Sequence, residues 1–167
     1  MNLLARLGQT LLTLTLGLYF ILVAFNNITD YGTNSAFVKH VLSMDSVPPD
    51  PHVAWHAIRS QSLQHFAYWF IIAWEVLAGL LCVLGGVRMA LCAKSPGFYA
   101  AKTYALAGLW AGTLLWSLAF ITIGGEWFMM WESTTWNGEL AAFRMFTVNS
   151  ISLLLLYLVE GKLALER

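Results

Sequence analysis

Four long stretches of this chain carry almost no charge, and no other feature limits so severely what it can fold into. They cover residues 9–26, 66–87, 103–124 and 144–163. A helix needs about 20 predominantly apolar residues to cross a bilayer core. The first lies between Arg6 and Asp30, the second is interrupted only by Glu75, and the third fills the gap between Lys102 and Glu126. The fourth has fifteen uncharged residues between Arg144 and Glu160, so it crosses only if both side chains snorkel to the interfaces. Charged residues make up 11% of the sequence, against about 25% in a soluble domain, so lipid is the solvent for much of the chain. The reading is an all-α membrane protein, a four-transmembrane-helix bundle in a single domain. Arg6 followed by an apolar run also fits a secretory signal. The run ends in Val23-Ala24-Phe25-Asn26-Asn27, however, without a small-x-small cleavage site, so it reads as a retained helix.

Lys and Arg in the short loops set the expected orientation. Arg6, the loop 88–102 (Arg88, Lys94, Lys102) and the C-terminus (Lys162, Arg167) hold six, while the other side has three: Lys39 and Arg59 in the loop 27–65, and Arg144 at the edge of the loop 125–143. Those two loops also hold Asp30, Asp45, Asp50, Glu126, Glu132 and Glu139. Both termini are expected in the cytoplasm, with the acidic loops outside. The net charge of zero provides no footprint for nucleic acid. Cys82 and Cys92 form no metal motif and fall on the cytoplasmic side, where a disulfide is not expected. Gly108 and Gly112 share the spacing at which small residues let helices approach, which suits packing inside the bundle first and an oligomer interface second.

The outer loops are longer than a bundle needs. In the first, Asn34 is a candidate N-cap, and Phe37, Val38, Val41 and Leu42 then recur at helical spacing. Pro48-Pro49 ends that piece. Asp50-Pro51 predicts a second helix start, with Val53, Ala54, Ala57 and Ile58 on one face and His52, His56 and Arg59 on the other. The second loop begins with Gly124-Gly125, carries Trp127, Trp131 and Trp136, and closes on the turn dipeptide Asn137-Gly138. The two loops are expected to fold together into an outer cap.

Several motifs carry a resemblance: Asn26-Asn27-Ile28-Thr29-Asp30-Tyr31, the segment from Phe37 to Asp45, the run from Gly124 to Trp131, Trp136-Asn137-Gly138, and Ala142-Phe143-Arg144. Together they resemble a bacterial family of predicted small integral membrane proteins, domain of unknown function 2165. The resemblance implies a bacterial inner-membrane protein with the cap in the periplasm. It implies no activity. Asn27, Asp30, Tyr31, Glu126, Trp127, Trp131 and Arg144 are the cap residues it brings forward.

Among groups able to do chemistry, Glu75 stands out. It lies near mid-membrane, where an ionisable group is costly and a functional candidate by default. Tyr19, Thr113 and Ser152 lie at similar depth as hydrogen-bond partners. The competing reading is a carboxyl that glues two helices together. The four histidines, His40, His52, His56 and His65, all fall in the first outer loop. His52 and His56 have the i, i+4 spacing of a Zn or Cu pair, with Met44, Asp45 and Asp50 as possible further ligands. Arg59 on the same face opposes a cation, so packing histidines are the favoured reading. A haem held by two histidines within the bundle is rejected, because only His65 comes near a span. The tryptophans suit interface anchors first, and a quinone, lipid or partner helix second. No nucleophile–base pair or phosphate loop is present in the sequence.

Three functions follow, in order of preference. The first is a non-enzymatic accessory or scaffold subunit of a membrane complex, with other membrane subunits or a second copy as partners. The second is a transporter or small-ligand-binding protein that uses Glu75 beneath the aromatic cap. The third is a membrane enzyme with a periplasmic site such as Glu126 with His40.

Overall fold

A computed structural model describes the backbone of residues 3–164 and the side-chain surroundings of residues 3–157. The expected snorkelling of Glu160 and the positions of Lys162 and Arg167 lie outside those described side chains. The described residues form six α-helices: α1 Leu3–Thr29, α2 Tyr31–Ser43, α3 Gln61–Leu91, α4 Phe98–Ala101, α5 Thr103–Leu114 and α6 Glu139–Ala164. The third span continues from α5 as a π-helix over Leu115–Trp127. Single 3₁₀ turns occupy Ala54–His56 and Met130–Glu132, and no strand is present among the described residues. The four spans are Leu3–Thr29, Gln61–Leu91, Phe98–Trp127 and Glu139–Tyr157, each long and apolar enough to cross a membrane. We call the end of the bundle that carries both long loops the cap end, and the other the base.

Close approach between helices is what the bundle's small residues provide. Gly85 of α3 lies so near the backbone of Ala105 on α5 that a methyl group there would collide with it. A Cβ on Gly108 would stand 2.6 Å from the Cys82 sulfur, and one on Gly112 would strike the Phe20 ring and stand 2.8 Å from Asn149 Oδ1. The Gly108–Gly112 face is therefore occupied inside the bundle by α1, α3 and α6. Around it, Phe20, Ala78, Leu115 and Ala142 form one fully buried cluster. Leu109, Leu156, Met89 and Phe98 form another nearer the base.

At the cap end the two loops interlock as expected. The apolar stripe of α2 splits its contacts. Val38 packs with Tyr68 and Ile72 of α3, and Val41 packs with Phe128 and Met130 of the second loop. Ser133 Oγ donates to Ser46 Oγ at 2.9 Å, and His56 Nδ1 lies 2.7 Å from the Trp127 carbonyl.

Two local expectations are corrected. The helix α2 begins at Tyr31, with Asp30 in the cap position, and Asn34 sits inside it. Tyr31 is drawn into the helix start by packing: its ring is 4.9 Å from Tyr68 and 5.6 Å from Trp69. The Asp50-Pro51 start is genuine, since Asp50 Oδ1 accepts the His52 N–H at 2.8 Å, but only one turn follows. The Ile58 N–H is taken by the Leu42 carbonyl at 2.7 Å, and the Ile58 carbonyl by Gln64 Nε2 at 2.7 Å. With both backbone groups engaged elsewhere, Ile58 cannot extend the helix.

Candidate functional site

The π segment sets up the most distinctive feature of the cap end. A π-helix closes i→i+5 hydrogen bonds, is rare, and usually lasts a single turn at functional sites. Here it persists for 13 residues, and the Phe128 N–H still bonds the Ile123 carbonyl at 3.0 Å. A cavity of about 190 Å³ lies between this segment, α2 and α3. Ala119, Phe120, Ile123 and Gly124 line it from the π-helix, Phe37 and Val41 from α2, and Ala67 and Phe70 from α3. Every lining side chain is apolar. Phe70 and Ile123 are themselves 52% and 42% exposed, so the cavity has an edge on the face that meets lipid. Beside it runs a second hollow bounded by Ile58, Thr122, Glu126 and Trp127, which shares Ile123 and Phe128 with the first.

Glu75 is 1% exposed, and its Oε2 accepts a hydrogen bond from Asn27 Nδ2 at 2.7 Å. The Asn27 carbonyl accepts from the Tyr68 hydroxyl at 2.9 Å. Tyr68 packs against Tyr31, whose hydroxyl lies 2.7 Å from His65 Nδ1. One continuous set of contacts thus runs from the carboxyl inside the bundle to the first loop. Asn27, a cap residue by its motif, is the join. Tyr19 is half-buried, with both Glu75 and Arg144 in electrostatic range of its hydroxyl. Thr113 and Ser152 turn away from Glu75: their hydroxyls bond the carbonyls of Leu109 and Val148 one turn back in their own helices. Glu75 lines neither the cavity nor the adjoining hollow.

The histidines go to separate partners. His40 Nδ1 lies 2.8 Å from Asp45, and its ring stacks on Trp136 at 4.6 Å. His56 stacks on Trp127 at 4.1 Å. His65 bonds Tyr31, and His52 is exposed in the turn after Asp50. Because Ala54–His56 is one turn, His52 and His56 do not share a helical face. Among the described residues, no three His, Cys, Asp or Glu side chains come together as a metal would require. The other cap candidates, Asp30, Glu126, Trp131 and Arg144, are exposed, so the structure does not gather them into one site. Glu126 is not a partner of His40.

The burial of several polar residues escaped the sequence reading. Gln9 Nε2 donates to the Leu155 carbonyl at 2.8 Å, and Asn149, fully buried, donates to Met145. Lys102 is also fully buried, and its ammonium donates to the Leu156 carbonyl at 2.9 Å. It lies 5.5 Å from the Phe98 ring centre, in cation–π range. Arg6 beside it donates to the carbonyls of Ala93 and Ser95. Polar residues inside or at the edge of otherwise apolar spans were the available signal. Gln9 and Lys102 stand at span boundaries, where a snorkelling side chain is the ordinary expectation.

Four spans, a cap folded from two loops and a polar tie between them define a small polytopic membrane protein of the helical-bundle class. The chain belongs to the family of predicted small integral membrane proteins, domain of unknown function 2165, whose pattern it matches over residues 5–159. Comparison with curated proteins and with solved structures returned no match.

Proposed function

We propose that this protein is a non-enzymatic accessory component of the bacterial inner membrane, whose periplasmic cap holds a hydrophobic chain drawn from the outer leaflet. The wholly apolar cavity beneath α2 carries this reading. Its walls come from two membrane spans and the cap, so whatever enters comes from lipid rather than water. An apolar hollow at that depth favours an acyl or prenyl chain, since each polar atom placed there without a partner costs roughly 1–3 kcal/mol. The π segment supports the reading, because an α-helix is the better-bonded alternative and the irregular form widens the helix at the cavity wall. The basic base and acidic cap favour cytoplasmic termini. On this reading Glu75 is a fastening between α1 and α3 and not a ligand contact.

The test is native mass spectrometry of protein released from lipid nanodiscs. The wild type is expected to retain one lipid. Ala119→Phe and Ala67→Phe fill the cavity and are expected to lose it while keeping the wild-type melting temperature within a few degrees. Equal lipid retention by wild type and both variants would refute the cavity as the site. Purification in mild detergent from the native host tests the accessory role, which predicts co-elution with other membrane subunits. Repeated elution of the protein alone counts against it.

A further inference from the structure

We infer that the hollow adjoining the apolar cavity seats an ammonium head group, so that the ligand is an amine-bearing phospholipid of the outer leaflet. This rests on the reading of the cavity as a chain site. The two spaces share Ile123 and Phe128 in their walls, so one amphipathic molecule can occupy both, with its chain beneath α2 and its head at the cap surface. Among the residues lining the hollow, Glu126 is the one charge, accompanied by the Thr122 hydroxyl. Neither Arg59, which follows Ile58 and lines a different cleft with Ser43 and Ala57, nor Arg144, the base nearest Glu126 in sequence, lines this hollow.

The indole that shares this wall with Glu126 suits a cation as well. Trp127 lines the hollow and is 46% exposed, and Trp55 is 70% exposed. Their rings stand 5.5 Å apart at 88°, so Trp55 packs edge-on to Trp127, and of the two only Trp127 lines the hollow. Indoles this exposed are usually mobile, but Trp127 is held. His56 stacks on it at 4.1 Å and also lies 2.7 Å from its backbone carbonyl. A fixed indole face beside a carboxylate is the chemistry that recognises ammonium groups. An anionic head would meet Glu126 with like charge, so the hollow discriminates by sign.

The experiment uses the full-length protein in nanodiscs of equimolar phosphatidylethanolamine and phosphatidylglycerol, with retained lipid identified by native mass spectrometry. Wild type is expected to favour phosphatidylethanolamine by roughly 3–10-fold, the size of an exposed cation–π contact together with an exposed ion pair. Glu126→Gln, at an exposed position, is expected to retain lipid but lose most of that preference, and Trp127→Leu to reduce it. Two results overturn the head-group assignment alone: equal retention of both lipids by wild type with Ala119→Phe still abolishing it, or an undiminished preference in Glu126→Gln. Absence of any retained lipid in wild type overturns this inference and the chain site together.

Discussion

The tie between Asn27 and Glu75 can be measured by a double-mutant cycle. Glu75 is buried on α3, and the Asn27 amide reaches it from the cap end of α1 at 2.7 Å. Hydrogen bonds between membrane helices average about 0.6 kcal/mol and reach about 1.7, and leaving a buried acceptor unsatisfied costs about 1–3 kcal/mol. A coupling of about 1–2 kcal/mol follows. The single variants should be unequal. Asn27→Ala leaves a buried carboxyl without its donor and should cost about 1–3 kcal/mol. Glu75→Leu frees an amide that is only partly buried, one turn from the helix end, where water can serve it. Introduced into Glu75→Leu, Asn27→Ala should therefore cost only a few tenths of a kcal/mol. Glu75→Gln keeps an acceptor for Asn27 and should stay near wild type. The assay is reversible unfolding in mixed micelles as the mole fraction of dodecyl sulfate rises. Because distant sites add within about 0.3–0.5 kcal/mol, a measured coupling inside that range would show that the contact does not fasten the helices.

Other parts of the bundle yield sharper steric and polar tests. Gly85→Val places a branched side chain against the Ala105 backbone; since backbone cannot move aside cheaply, overpacking of at least about 1–3 kcal/mol is expected as a lowered unfolding midpoint, and an unchanged midpoint would refute the close crossing of α3 and α5. Lys102→Met removes the donor to the Leu156 carbonyl in a fully buried site and should loosen the base end of α6, seen as faster amide exchange around residues 155–157 and not at the cap. Met44 and Met129 hold left-handed backbone (φ 53° and 56°), which costs a non-glycine residue about 1–2 kcal/mol. Gly at the partly buried Met129 should therefore preserve or raise the melting temperature, and a large drop would show that its side chain matters more than its backbone. A C-terminal fusion to green fluorescent protein should fluoresce and one to alkaline phosphatase should be inactive; the opposite pair would reverse the proposed orientation.

What could be read in the sequence was what depends on solvent. Four spans follow from the absence of charge, and the stripe of Phe37, Val38, Val41 and Leu42 follows from periodicity. Both patterns survive because lipid and core demand the same side chains. The helix expected after Asp50 failed for a different reason: its N-cap is in place, but tertiary hydrogen bonds to Ile58 outcompeted the next turn. Sequence also separated Glu75 from Asn27, placing one in the membrane and the other in a cap motif, because the contact between them spans 48 positions. The cavity was illegible for a similar reason. Its lining residues are ordinary apolar side chains of separate elements, and one wall is a segment whose change of helix type leaves no mark in hydropathy.

That change of helix type has a consequence for how this chain tolerates altered length. In an α-helix residues three and four apart share a face, whereas the i→i+5 ladder redistributes side chains around a wider, shorter cylinder. Between Leu115 and Trp127, then, the number of residues sets both the azimuth and the height of everything that follows. Deleting one residue there would favour a return to α-helical phase and would swing Glu126 and Trp127 off the wall of the second hollow while the bundle below stayed intact. The segment behaves as a vernier: a conservative replacement at any one position leaves its setting unchanged, but insertion or loss of a single residue resets the cap against the membrane.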